Sequence, residues 1–330
     1  MFAYPPRGLI LALVTPFDEK GGIDWPSLRQ LIAQALPFCD GLFIGEGLVG
    51  EGLSLPNPMR LELLRGCWEV VSGKKSLLLC PTASTAEETL SNVEVLEKLY
   101  IGERKESLFW VDLPLWYHSN RKLPHLYQEW AKRTPLSILL YNHPQLISQL
   151  NRSLKRSNIR TAVLKRLAEN EQIVGLIQAG DLKRTIPYQR AVRSRRDFRI
   201  YDGDERNFLN QPSSSGVVSG GANLLPEEWR EIVRASLSAA EDPAQGLILL
   251  RQSQKLRDLN QALRMNPARS LKFALHRLGL ISQAKILDEP HVAIRGNDLK
   301  IGNFLRENFS LQSSRWNDIH YAPRDSGGQS

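Results

Sequence analysis

Along the first two-thirds of the chain, short apolar runs alternate with longer stretches in which apolar residues return every three or four positions. The runs are LILALV, GLFIG, SLLLC, SLFWVDL, SILLY, IVGLI, FRIYD and GVVSG. Each is apolar at consecutive positions rather than alternate ones, which is the pattern of strands covered on both faces. The stretches between them, such as WPSLRQLIAQAL, NPMRLELLRGCWEVV, TAEETLSNVEVLEKLY and LPHLYQEWAKR, carry one apolar face and predict amphipathic helices. Start signals agree: Asp24 precedes Trp25–Pro26, and Ser84–Thr85 precede Glu87–Glu88.

Strand and helix alternating eight times predict an α/β fold of the closed type, a (β/α)8 TIM barrel. An open doubly wound sheet would more often show a glycine-rich phosphate turn after its first strand, and TPFDEKGG is no such turn. The barrel is expected over residues 1–240. LILLRQSQKLRDLNQAL and PARSLKFALHRLGL then predict an appended helical segment over 241–310, followed by a loose polar tail over 311–330.

Composition adds exclusions. The 330 residues are 42% hydrophobic and 24% charged, enough for a sizeable core. The net charge of +8 is scattered, with one dense cluster, RAVRSRRDFR, that reads as a solvated helix end, so no nucleic-acid partner is expected. The N-terminal apolar run lacks a basic leader and is too short for a bilayer, so no membrane partner is expected. Cys39, Cys67 and Cys80, odd in number and set in apolar surroundings, read as buried free thiols of a cytoplasmic protein. No histidine pair has zinc-site spacing. The carboxylates of YDGDE (Asp202, Asp204, Glu205) could attract a hard cation, although the resemblance set out below implies a turn without metal there. Neither metal nor cofactor is expected.

Taken in order, ALVTPFDEKGGID, DGLFIGEGLVGEGLSL, STAEETL, ILLYNHP, IVGLIQAGD, YDGDE, GVVSGGANLLPEEW and NPARSLKFALHRLGL resemble the dihydrodipicolinate synthase / N-acetylneuraminate lyase family, nearly end to end. The resemblance implies the same barrel with C-terminal helices, a small-molecule carboxylate or sugar-like ligand, and a dimer or tetramer. It implies that the loop carrying Trp116 and Tyr117 serves a neighbouring subunit. It also implies a lysine at the end of strand six that forms a Schiff base with a 2-oxo acid. Such an amine must be partly desolvated to act as a nucleophile.

That lysine is missing. Ile177 or Gln178 takes its place, and the nearby Lys183 lies beyond Asp181. The family's carboxylate-holding turn after strand two carries two hydroxyl residues. Here it reads Gly47, Leu48, Val49, Gly50, Glu51, so both hydroxyls are aliphatic. Each charge-assisted hydrogen bond lost there would be worth roughly 1.5–3 kcal/mol. Glu46 stands just before the turn and, facing the pocket, would repel an acid. Tyr141 matches the family's proton-relay tyrosine, but its hydroxyl partners fall at Leu48 and Trp116, with Tyr117 a possible substitute, and an expected arginine is Leu146. His143 and Gly203 complete the candidate pocket. These departures predict a family member that no longer runs Schiff-base chemistry yet keeps a remodelled pocket. The competing expectation is an active lyase or aldolase on a 2-oxo acid or sugar acid with an altered mechanism.

Overall fold

The computed structural model describes residues 2–99, 107–150, 156–212, 215–238, 245–287 and 295–309. Eight parallel strands close a barrel in chain order. They are β1 (Gly8–Ala12), β2 (Gly41–Ile44), β3 (Ser76–Leu79), β4 (Leu108–Asp112), β5 (Ser137–Asn142), β6 (Ile173–Gln178), β7 (Arg199–Asp202) and β8 (Gly216–Ser219). Nearly every strand residue is buried, as continuous apolar runs require when one face fills the barrel and the other meets helices. The eight expected strands and the closed topology are thus observed.

The seam between β1 and β8 depends on glycine. Gly8 and Gly216 have φ of +135° and +117°, and a Cβ on Gly216 would lie 1.9 Å from the Gly8 carbonyl oxygen. A side chain there would force the last strand off the first.

The helices are α1 (Trp25–Ala35), α2 (Asn57–Val71), α3 (Ala86–Leu99), α4 (Leu123–Ala131), α5 (Pro144–Ser148), α6 (Thr161–Leu167), α7 (Thr185–Ala191), α8 (Glu205–Asn210) and α9 (Pro226–Ser238). The predicted caps form. Asp24 accepts from the Ser27 N–H, and Thr85 Oγ1 accepts from the Glu88 N–H at 3.1 Å while Glu88 reaches back to the Ser84 N–H. The basic cluster follows α7, where Arg195 pairs with Asp197 at 3.0 Å. The three cysteines are buried and unpaired, and burial raises the Cys39 and Cys80 thiols to about 12 and about 11, so both stay protonated. Among the described residues no helix is long and apolar enough to cross a membrane.

Three further helices follow the barrel: α10 (Gln245–Leu263), α11 (Pro267–Arg277) and α12 (Arg295–Asn308). Lys255 of α10 pairs with Glu228 of α9, and Arg269 of α11 with Asp298 of α12. The expected tail, 311–330, lies outside the described residues. A third pair ties α11 to the barrel mouth. Lys272, wholly buried, bonds the Glu51 carboxylate, donates to the Lys285 carbonyl at 2.8 Å, and sits 3.9 Å above the Phe17 ring. Burial lowers its ammonium to about 8, against the opposing pull of Glu51.

Breaking a buried pair leaves a bare charge behind. Lys272→Met is expected to lower the unfolding free energy by about 3–5 kcal/mol, measured by urea denaturation. Adding Glu51→Gln to that variant should restore part of the loss. A single variant within about 1 kcal/mol of the parent would contradict this role for the pair.

Candidate functional site

The turn after β2 is wound tightly, and its most crowded positions are glycines. Gly45 has φ of +68°, and Glu51 holds the left-handed region at +54°. A Cβ on Gly52 would lie 1.8 Å from the Gly45 carbonyl oxygen, and one on Gly50 would lie 2.8 Å from the Glu46 nitrogen. The Gly52 N–H closes the turn on the Glu46 carbonyl at 2.9 Å. Thr15 Oγ1 donates to the Gly50 carbonyl at 2.8 Å, and the Arg60 guanidinium donates to the carbonyls of Gly52 and Leu55. Within that frame the N–H groups of Leu48 and Val49 converge on Glu46 Oε2 at 2.8 and 2.6 Å. The Tyr141 hydroxyl donates to Glu46 Oε1 at 2.7 Å. Glu46 is 3% exposed, and its carboxylate forms part of a cavity wall.

Tyr141, near the end of β5, is held as a donor. Burial first, and then the adjacent Glu46 carboxylate, push its hydroxyl well above the ordinary phenol range. It therefore keeps its proton at neutral pH, which is the opposite of what a base needs. His143 caps α5 by accepting from the Leu146 N–H through Nδ1 at 3.3 Å, and it meets the Tyr141 ring edge-on at 5.4 Å. Burial lowers its imidazole, so it is neutral with the hydrogen on Nε2.

Ile177 and Gln178, the two residues at the end of β6, turn opposite ways. Ile177 pairs in register with Tyr141, and Gly203 packs so close that a Cβ there would lie 2.9 Å from both Ile177 and Ala179. Gln178 turns to the other face, where Asn142 donates to its Oε1 at 2.7 Å. Ile177 is therefore the residue on Tyr141's side of the strand. It is fully buried and lies outside the cavity lining, whereas Ala179 lines the cavity. Lys183 is exposed on the turn beyond Asp181. Among the described residues no lysine lines the cavity; the buried Lys272 follows the lining residue Leu271 but points away to Glu51.

The cavity measures about 480 Å³ and opens at the carboxyl ends of the strands, where barrels of this kind place their sites. Leu48, Val49, Tyr141, His143 and Gly203 line it as expected. Four expected residues do not. Gly47 packs beneath the turn, where a Cβ would strike Leu53 and Leu146. Gly50 is sealed against backbone, Glu51 is turned to Lys272, and Trp116 packs against the core. Tyr117 does not partner Tyr141. Its hydroxyl, with those of Tyr127 and Thr82, donates to Asp112 of its own chain at 2.8 Å. Burial raises the Asp112 carboxyl to about 6, the three hydroxyl donors opposing the shift. The YDGDE carboxylates go separate ways. Asp202 ends β7, Asp204 caps α8 and pairs with Arg206, and Glu205 accepts from Ser219 Oγ and the Gly221 N–H. Asn260, Arg264, Met265 and Asn266 of α10 and the following turn roof the cavity. Sequence reasoning missed this roof, because only packing of the appended helices brings it over the mouth.

The sequence pattern of the Dihydrodipicolinate synthetase family matches residues 5–298. A 4-hydroxy-tetrahydrodipicolinate synthase of Stutzerimonas stutzeri is 28% identical over 282 residues, covering 83% of this chain and 89% of that protein. The structure of the 4-hydroxy-tetrahydrodipicolinate synthase of Methylacidiphilum fumariolicum SolV superposes with a TM-score of 0.74 at 26% identity, covering 94% of this chain and 96% of that one. A dihydrodipicolinate synthase variant described as monomeric gives 0.76 at 25% identity, covering 93% and 97%.

The enclosed Glu205 carboxyl makes stability depend on pH. Burial raises it from 4.5 to about 7, with Ser219 and Gly221 opposing. A raised carboxyl favours the fold in its protonated form, so its contribution is full below the unfolded value of 4.5 and is lost as pH rises through about 7. Glu205→Gln should therefore unfold at higher urea than the parent at pH 8, by about 1–3 kcal/mol, with the gap closing by about pH 4. A gap independent of pH would contradict the assignment.

Proposed function

Since the chain belongs to the Dihydrodipicolinate synthetase family, we propose that it is a member that has abandoned Schiff-base aldol chemistry and keeps the barrel mouth as a small-molecule site. The observation that carries this reading is Ile177, wholly buried beside Tyr141 where the family resemblance calls for a lysine. Without an amine there is no iminium, and a carbanion next to an unactivated ketone is too high in energy to form at useful rates. The other losses point the same way. Leu48 and Val49 offer no hydroxyl to a substrate carboxylate, and Tyr141 is locked as a donor to Glu46. Residues that act as a unit do not leave partial activity when one survives.

The ligand in this reading is a small carboxylate or sugar-like molecule, held by a cytoplasmic homo-oligomer. The three reduced cysteines support the compartment. Tyr117 is committed to Asp112 of its own chain, so any contact between subunits through that loop would rest on Trp116 instead.

A second reading has one observation in its favour. Glu205 lines the cavity and titrates near neutrality, as a general acid–base group should. In that case turnover of a sugar acid would follow a pKa near 7 and vanish in Glu205→Gln.

Borohydride reduction in the presence of pyruvate, followed by peptide mapping, is expected to find no labelled lysine. Ile177→Lys alone should also stay unlabelled, because the new amine would be enclosed and the turn would still lack hydroxyls. Label on any lysine of the unmodified protein, Lys183 and Lys272 included, would overturn the proposal.

A further inference from the structure

Remove the Glu46 side chain in thought, and three donors remain aimed at one point of the cavity wall: the Leu48 and Val49 N–H groups and the Tyr141 hydroxyl. Converging backbone N–H groups with a neutral hydroxyl make an anion site. We propose that the donors of the turn after β2 are held by the chain's own Glu46, and that this tethered carboxylate shuts small external monocarboxylates out of the cavity. The inference rests on reading the mouth as a small-molecule site, and it deepens that reading by naming what holds the site closed.

The frame around the donors does not depend on Glu46's carboxylate. Thr15 and Arg60 hold the turn's carbonyls, and Lys272 anchors Glu51 from behind. The N–H groups should therefore keep their positions when the carboxylate is gone. An external acid faces a rival that is always present, at an effective concentration on the order of millimolar or above. It would also have to enter beside a displaced, negatively charged Glu46. All four groups of the arrangement line the same cavity of about 480 Å³, far larger than a three-carbon acid needs.

The test is binding of pyruvate, followed by ligand-observed NMR and calorimetry without borohydride. The parent protein should show no binding, and Glu46→Ala should bind at least about tenfold more tightly than the parent's detection limit. Adding Tyr141→Phe to that variant should weaken binding by about tenfold, the loss of one hydrogen bond to a charged group. Glu46→Ser, whose hydroxyl can serve one N–H, is read in parallel and stands in if the alanine variant does not fold. In the parent, the Leu48 and Val49 amides should resist hydrogen exchange, and freely exchanging amides would overturn the proposal without any variant. Equal binding by parent and variants, or none by either folded variant, would overturn it too. The abandoned-chemistry reading fails separately, on a borohydride adduct in the parent. Pyruvate bound by Glu46→Ala without an adduct supports both.

Discussion

A carboxylate enclosed at the mouth of a barrel must be given donors or lose its charge, and Glu46 is given three. Most of the mouth follows from that requirement. Two of the donors are consecutive backbone N–H groups, and here they converge in a tight turn with crowded glycines at 50 and 52 and a left-handed Glu51. That turn is in turn fixed by Arg60 and by the buried Lys272, which brings α11 against the barrel. The third donor keeps its proton because burial, and then the carboxylate it serves, make losing it unfavourable. One side chain thus engages both backbone N–H groups of the turn and the Tyr141 hydroxyl at the cavity wall.

The same arrangement would explain why the proposed losses, which look independent along the chain, go together. A 2-oxo acid needs an amine for its carbonyl and donors for its carboxylate. In the proposed reading the first position is aliphatic, at Ile177, and the second set of donors is already engaged by Glu46. Restoring either alone would leave the other obstacle standing. Burial also raises the carboxyls of Glu205, which lines the same cavity, and of Asp112 at the end of β4.

The barrel was legible because each strand announces itself locally. LILALV or SLLLC cannot lie at a surface, and eight such runs spaced by amphipathic stretches leave few topologies. The caps at Asp24 and Thr85 were legible for the same reason, since cap and partner lie within four residues. The site was legible only in part. The sequence left Ile177 and Gln178 as alternatives, because only the strand's facing shows which of them shares Tyr141's side. That Glu46 turns back onto Leu48 and Val49, that Tyr117 folds onto Asp112, and that Arg264 and Asn266 roof the cavity are all long-range or conformational facts. No periodicity encodes them.

A crystal structure of the unaltered protein grown in excess pyruvate tests the account at its centre. The account requires the Glu46 carboxylate to remain on the Leu48 and Val49 N–H groups, with no pyruvate on that turn and no density joining it to any lysine. Pyruvate seated on those N–H groups with Glu46 swung aside, or bonded covalently to a lysine, would contradict it.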